Sequence, residues 1–220
     1  MSVPYSLRTA PPPWGGPTAL TRTPAIRVRP AWQQHVLSTI AHRSGAGDGR
    51  AVQAVGFADM AGFTELSRQM APDELTRLIR CFEHQAVETV VAHGGRVVKF
   101  IGDEAMYVAG TVGAAVDIAL TLGDRLAATE LAVQLHCGVA YGPTVSVGGD
   151  VFGHTVNVAS RLTDVARRNS VVVTRAAAQM LDGRADLRTR RVLHLAELKG
   201  VGRTPMVSVS RREGGRSPRT

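Results

Sequence analysis

The chain has 220 residues, of which 44% are hydrophobic and 20% are charged, and it carries a net charge of +8. These values are typical of one globular domain that can fold without disulfides, and with no signal peptide or membrane-length apolar run the chain is expected to be soluble and cytoplasmic. Because residues 50–200 contain 16 basic and 16 acidic side chains, the excess charge lies in flanking arginines, which argues against a nucleic-acid-binding face.

The N-terminal region differs in composition from the rest of the chain. Residues 1–30 are rich in Pro, Thr, Gly and Arg, which predicts a disordered tail. Residues 31–43 fit one short amphipathic helix, and the small residues up to 49 read as a linker. We therefore expect the folded domain to span residues 50–210, with a second disordered tail over 211–220.

Strand and helix patterns alternate through the predicted domain. The elements expected in chain order are a strand at 51–60, a short helix starting near Thr64, a longer helix from Pro72, a hairpin at 96–109 turning at Gly102-Asp103, a helix at 111–129, two strands around Gly142-Pro143, a helix at 154–168, a strand at 170–174, a short helix at 175–182 and closing strands at 187–198 and 203–210. This order predicts an α+β fold, a mostly antiparallel central sheet with helices on one face.

Lysine and cysteine usage narrows the candidates for functional positions. The chain contains only two lysines, Lys99 and Lys199, among 26 basic residues. Both are candidates for positions that a guanidinium cannot fill, with chance retention as the alternative. Cys81 and Cys137 fit free, buried thiols in a reducing compartment better than a disulfide.

Two carboxylates lie at the ends of predicted strands. Asp59 precedes a helix start, and Asp103 lies in the hairpin turn. Each has a simpler explanation, as a helix cap or as a turn residue. If strands 51–59 and 96–102 are neighbours, however, the two carboxylates meet at one edge and repel unless cations lie between them. Two divalent cations in such a site would suit in-line displacement at phosphorus.

The segment 148–162 combines polar groups of another kind. Asn157 and Arg161 are four residues apart on a predicted helix, in a stripe that Asp164 and Arg168 extend. A solvated helix face is the simpler interpretation, but an amide and a guanidinium one turn apart also suit a sugar and a phosphate. Asp150 is either a turn residue or an acceptor for an exocyclic amine. The seven histidines show no metal-ligand spacing.

Four stretches, in this order, resemble the class III nucleotidyl cyclase catalytic domain: "FADMAGFT" (57–64), "KFIGDE" (99–104), "DVFGHTVNVASR" (150–161) and "ELKG" (197–200). The resemblance covers roughly residues 50–210. It implies the family's mostly antiparallel sheet with a ferredoxin-like core. It also implies a head-to-tail homodimer with active sites at the interface, where metals held by one chain face the base- and ribose-reading groups of the other.

The resemblance also assigns roles to individual residues. It implies two Mg²⁺ or Mn²⁺ ions held by Asp59, Asp103 and the carbonyl of Met60. The groups it implies for substrate are Lys99 and Asp150 for the purine, Asn157 for the ribose, Arg161 for the α-phosphate, Lys199 for the triphosphate, and Phe63 and Thr64 as further substrate-binding residues.

The activity implied by this resemblance is that of an adenylate cyclase. The 3′-hydroxyl of ATP would attack its own α-phosphate, giving 3′,5′-cyclic AMP and pyrophosphate. A guanylate cyclase is the alternative within the family, but Lys99 argues against it, because a guanine site is expected to carry Glu there. A non-catalytic nucleotide-binding regulatory partner is the alternative from another class.

Overall fold

The structure is a computed structural model that describes residues 49–192, 197–198 and 201–212. The expectations for residues 1–48 and 213–220, and for Lys199, fall outside these ranges. Within the described part, no helix is both long and apolar enough to cross a membrane. The elements in chain order are β1 (Arg50–Met60), α1 (Phe63–Gln69), α2 (Pro72–Ala92), β2 (Arg96–Ile101), β3 (Glu104–Ala109), α3 (Val112–Ala127), β4 (Leu135–Val147), β5 (Asp150–Phe152), α4 (His154–Val165), β6 (Ser170–Thr174), α5 (Arg175–Gln179), β7 (Leu187–Arg191), β8 (Glu197–Leu198), β9 (Gly202–Arg203) and β10 (Met206–Arg211).

An eight-stranded sheet organises the domain. Its strand order is β2-β3-β1-β4-β6-β10-β7, and β5 pairs with the far end of β4. The β4–β6 pairing is parallel and the other pairings described in this sheet are antiparallel. The predicted α+β fold with a mostly antiparallel sheet is therefore confirmed.

Both faces of the sheet are covered by helices. On β1, Ala54 and Ala58 point into a core built with α2 and α3, while Val55 and Phe57 point into a second core built with α4. This alternation follows from the two-residue period of a strand. The expectation of helices on one face thus holds for α2 and α3 and is wrong for α4, because β1 is apolar on both faces.

A glycine in the central strand β4 sets the position of α4. A Cβ atom at Gly138 would lie 2.4 Å from the carbonyl oxygen of Ala159 and 2.4 Å from the amide nitrogen of Thr163. Any other residue would push the helix away from the sheet. The exposed face of α4 is consequently held at a fixed height above the strands.

The prediction of two strands around Gly142-Pro143 is wrong, because β4 runs through both residues without a break. Proline lacks an N–H group and is normally excluded from the middle of a sheet. Here β6 pairs with β4 only as far as Val139, and β5 begins to pair only at Val145. Pro143 lies in the gap between them, where no neighbouring strand on that side needs its N–H.

The bounds of the C-terminal strands also differ from those predicted. The predicted strand at 187–198 ends at Arg191, and residues 197–198 instead form a separate small ladder with β9. The predicted tail from residue 211 begins too early, because Arg211 is still in β10 and its Nε donates to Asp124 Oδ2 at 3.0 Å. In the sequence alone, Arg211 looks like part of a solvated tail, because its acidic partner Asp124 is far away in the chain.

Candidate active site

Acidic groups gather where β1 and β3 meet the β2–β3 turn. Asp59, near the end of β1, lies opposite Glu104, the first residue of β3. Asp103 lies in the turn before β3, and its carbonyl accepts a 3.3 Å hydrogen bond from the amide of Met60. The two carboxylates were expected to meet if β1 and β2 are neighbours. In the structure β3 lies between them, and the turn into β3 brings Asp103 to Asp59.

The crowding of these carboxylates is unfavourable for their ionisation. Burial, followed by the charge and hydrogen bonding of Asp103, raises the pKa of Asp59 to about 6. Burial and the neighbouring charge of Asp59 raise the pKa of Glu104 to about 7. The nearby imidazole of His136 has the opposite, smaller effect on the pKa of Asp59. Perturbations of this kind concentrate at functional sites.

This acidic cluster has the donors that a phosphate-bound Mg²⁺ ion requires. Among the described residues, no group of three or more His, Cys, Asp or Glu side chains forms a closed metal site. Asp59 and Asp103 supply two carboxylates instead, and Mg²⁺ is commonly held by one or two carboxylates with substrate phosphates and water completing its shell. The residues present fit a divalent cation that arrives with a nucleotide.

The alternative that Asp59 caps the following helix is not supported. The N-cap residue of α1 is Gly62, with a φ of 78°, and no side chain makes a capping hydrogen bond there. Phe63, the first residue of α1, packs against the core, and Thr64 is exposed. The carboxylate of Asp59 is therefore available for a role other than capping.

Lys99 and Asp150 form an ion pair at the β2 edge of the sheet. The Lys99 Nζ donates to Asp150 Oδ2 at 2.7 Å, and the two side chains are 40% and 30% exposed. The hydrogen bond from Lys99 is the main cause that lowers the pKa of Asp150. The Nζ also lies 6.0 Å from the ring centroid of Phe152. The charge of Lys99 is thus paired and remains accessible to a ligand.

Helix α4 presents a polar stripe to solvent. Asn157, Arg161 and Asp164 are exposed, while Val158 and Leu162 are buried against the sheet. The Arg161 Nη1 donates to Asp164 Oδ2 at 2.9 Å. The predicted continuation of this stripe to Arg168 is wrong, because α4 ends at Val165 and extended backbone at Ala166 stops the helix.

Three residues near these groups were not predicted as site residues from the sequence. Glu104 and His136 flank Asp59 on the neighbouring strands. The negative charge of Asp164 helps to raise the pKa of both Asp59 and Glu104. The acidic pair Asp103-Glu104 was a visible signal in the sequence. The other two become neighbours of Asp59 only through strand register and helix packing, which have no local signature.

Comparison with known proteins identifies the family of the chain. The sequence model for the "Adenylate and Guanylate cyclase catalytic domain" family matches residues 51–210, and the chain therefore belongs to this family. Relatives named adenylate cyclase include one from Streptomyces coelicolor, 47% identical over 58% of this chain and 34% of its own length, and one from Streptomyces griseus, 37% identical over 69% and 41%. The chain thus spans about a third to two fifths of these relatives.

Solved structures support the fold assignment. The adenylate/guanylate cyclase/hydrolase from Silicibacter pomeroyi has a TM-score of 0.66 at 26% identity, covering 74% of this chain and 98% of the other. The adenylyl cyclase CyaB from P. aeruginosa has a TM-score of 0.65 at 20% identity, covering 76% and 98%. Because CyaB is only 20% identical to this chain, the comparison with it supports the fold alone.

Proposed function

We propose that this chain is an adenylate cyclase, which converts ATP to 3′,5′-cyclic AMP and pyrophosphate in a homodimer. The observation that carries the proposal is the accessible Lys99–Asp150 pair on a cyclase catalytic domain that also carries the Asp59–Asp103 cluster. The relatives named adenylate cyclase support the same activity.

Lys99 and Asp150 would select the base. An ammonium group can donate to adenine N1, and a carboxylate can accept from the 6-amino group. Guanine has an N–H at N1 and a carbonyl at position 6, so Lys99 would face a donor and Asp150 would face an acceptor. Polar groups left without hydrogen bonds in a site are costly. This chemistry favours ATP and disfavours the guanylate cyclase alternative.

Asp59, Asp103 and the carbonyl of Met60 would hold the cations. When bound, two Mg²⁺ or Mn²⁺ ions would lower the pKa of the 3′-hydroxyl and neutralise charge on the phosphates. The contribution of the chain is to keep two carboxylates together at the strand end despite their repulsion. A cation bound between the two carboxylates would offset this repulsion.

Asn157 and Arg161 would act on the ribose and the α-phosphate. They are one helical turn apart and exposed, on a helix whose position Gly138 fixes. Asn157 would orient the ribose, and Arg161 would stabilise the charge that develops on the α-phosphate. The amides of Phe63 and Thr64 at the start of α1 would contact phosphate oxygens, and Lys199 would contact the triphosphate.

A homodimer would assemble each site from two protomers. Metal ligands from one chain would face Lys99, Asp150, Asn157 and Arg161 of the other. Large apolar side chains are exposed on β1, β4 and β5, including Val52 and Val147 at 62% each and Phe152 at 50%. Exposed apolar groups on neighbouring strands are typical of a protein interface.

The free thiols of Cys81 and Cys137 fit a reducing, cytoplasmic setting.

Cyclic AMP formation tests this proposal directly. The purified chain is incubated with ATP or GTP in the presence of Mg²⁺ or Mn²⁺, and the cyclic products are separated and quantified. We expect cyclic AMP from wild type and a loss of activity of at least about 100-fold in Asp103→Ala. Cyclic GMP as the main product would support a guanylate cyclase, and nucleotide binding without either product would support a regulatory partner.

A further inference from the structure

Strand β2 contains an irregularity just before Lys99. Arg96 pairs with Val108 and Val97 with Tyr107, but Lys99 pairs with Met106, so Val98 is an extra residue in the ladder. Such a β-bulge changes which face the following side chains occupy. In a regular strand, Arg96 and Lys99 would point to opposite faces because they are three residues apart.

The bulge places Arg96 and Lys99 on the same face. Val97 and Phe100 pack into the core formed with α2 and α3, whereas Val98 packs into the core on the α4 face. Arg96 then reaches the turn that joins β4 to β5, and Lys99 reaches the first residue of β5. Arg96 Nη1 donates to the carbonyl oxygen of Gly149 at 3.1 Å, and Lys99 Nζ donates to Asp150 at 2.7 Å.

The turn that Arg96 contacts is a two-residue hairpin loop, closed on the β4–β5 side by the pairing of Val147 with Asp150. Gly148 and Gly149 have φ angles of 60° and 87°, and a Cβ atom at either would meet nothing within 4 Å. Two consecutive glycines in an open turn lower the cost of rearrangement, because glycine has the widest range of backbone conformations. Asp150 follows directly, and its carboxylate accepts hydrogen bonds from Lys99 Nζ at 2.7 Å and from the amide of Val151 at 2.8 Å, so its position depends on these contacts together with the turn before it. The Arg96 hydrogen bond is one of the contacts that fix it.

We propose that Arg96 is a positioning residue for base selection: across the Val98 bulge it holds the Gly148-Gly149 turn, so that Asp150 faces the 6-amino group of adenine. This inference rests on the proposed function, since it deepens the role given there to Lys99 and Asp150. The charge of Arg96 also acts on Asp150, whose pKa it helps to lower after the larger effects of Lys99 and of the hydrogen bond from the Val151 amide. Arg96 itself touches neither base nor phosphate in this scheme.

The test separates positioning from folding by measuring discrimination between bases. Affinities for 3′-deoxy-ATP and 3′-deoxy-GTP, which lack the attacking hydroxyl, are measured by calorimetry for wild type, Arg96→Ala and Arg96→Lys. Arg190→Ala is the matched control, because Arg190 is exposed on β7, the edge strand at the opposite end of the sheet. Melting temperatures are recorded for every variant.

We expect Arg96→Ala to reduce the adenine-to-guanine affinity ratio about three- to tenfold, the worth of one hydrogen bond. Arg96→Lys, which keeps the charge and a donor, should recover part of the ratio, and Arg190→Ala should keep the wild-type value. If Arg96→Ala does not fold, the reduced ratio in Arg96→Lys supports the inference by the same comparison.

Two results would overturn the inference: a wild-type protein that does not prefer adenine, or Arg96 variants that keep the wild-type ratio, whatever their melting temperature. The outcome is independent of turnover. A reduced ratio in a protein that forms no cyclic AMP would support the role of Arg96 and contradict the proposed function. An unchanged ratio in a protein that forms cyclic AMP would contradict the role of Arg96 and support the proposed function.

Discussion

Lys99 and Asp150 are 51 residues apart in the chain, yet the Nζ of Lys99 donates a 2.7 Å hydrogen bond to Oδ2 of Asp150. The contact joins the edge strand β2 to the short strand β5, which pairs with the far end of β4 rather than with β2. The two side chains are partly exposed, and an ion pair of this kind contributes only about 0–1 kcal/mol to stability. Stability alone therefore gives little reason for the pair, which is consistent with the base-binding role proposed for it.

Lys99→Glu tests this distinction between binding and stability. The substitution replaces the donor for adenine N1 by an acceptor, so we expect kcat/KM for ATP to fall by at least about 100-fold. The loss of an exposed pair, with a new repulsion from Asp150, should lower the Tm by only about 2–4 °C. Cyclic AMP assays and thermal melts measure the two effects.

Arg190→Glu, on the exposed edge strand β7, is the control for the change of charge. It should leave kcat/KM for ATP close to wild type. If Lys99→Glu loses activity only in proportion to its loss of folded protein, Lys99 is a structural residue and the assignment to the base is wrong.

Arg161→Ala should affect turnover far more than stability. Arg161 forms an exposed i,i+3 ion pair with Asp164, and such pairs add little to folding. As a preorganised donor to the α-phosphate, it should account for about 10²–10³-fold in kcat. Arg68→Ala removes a comparable exposed i,i+3 pair, with Glu65 in α1, and is the matched control. Equal kcat values for the two variants would rule out the phosphate role.

Asp103→Asn should stabilise the protein while it removes activity. The neutral side chain relieves the repulsion between Asp103 and the half-buried Asp59, so in metal-free buffer we expect the Tm to rise by about 1–4 °C. Activity should fall, because one of the proposed metal ligands is lost. Asp182→Asn, at an exposed position in the turn after α5, is the control. A lower Tm in Asp103→Asn would show that Asp103 stabilises the fold as a turn residue.

Mixing two inactive variants tests the assembly of sites from two protomers. In a dimer of Asp103→Ala with Arg161→Ala, one site carries both substitutions and the other carries neither. Random exchange makes half of the dimers mixed, so about a quarter of wild-type activity should return. Each variant alone, diluted to the same total concentration, is the reference. Activity that does not exceed the sum of the two would argue that each chain completes its own site.

The sequence contained enough information to predict many of the local elements, but not their arrangement. The strand 51–60, the hairpin turning at Gly102-Asp103 and the apolar face of α2 all follow from short-range patterns. The insertion of β3 between β1 and β2, and the passage of β4 through Pro143, depend on which strands become neighbours. The same is true of Arg96, because its contact with Gly149 requires a bulge that only strand register reveals.

Arg184 is expected to link the stability of the domain to acid pH. Its guanidinium binds Asp117 through Nη1 and Nη2 and Asp186 through Nε and Nη2, at 2.7–3.1 Å. Hydrogen bonds from Arg184 lower the pKa of Asp186 from its usual 3.8 to about 2. A carboxylate whose pKa is lower in the folded state stabilises the fold fully above its unfolded value and loses this effect as the pH falls through its folded value.

Arg184→Gln should therefore have a lower Tm than wild type near neutral pH, and the difference should shrink as the pH falls from about 4 to about 2. Arg190→Gln, which removes an exposed arginine from the neighbouring strand β7, controls for the loss of one positive charge. Thermal melts followed by circular dichroism across this range measure the difference. A constant gap between wild type and Arg184→Gln would mean that Arg184 stabilises the fold through packing, since only its ion pairs depend on the protonation of Asp186.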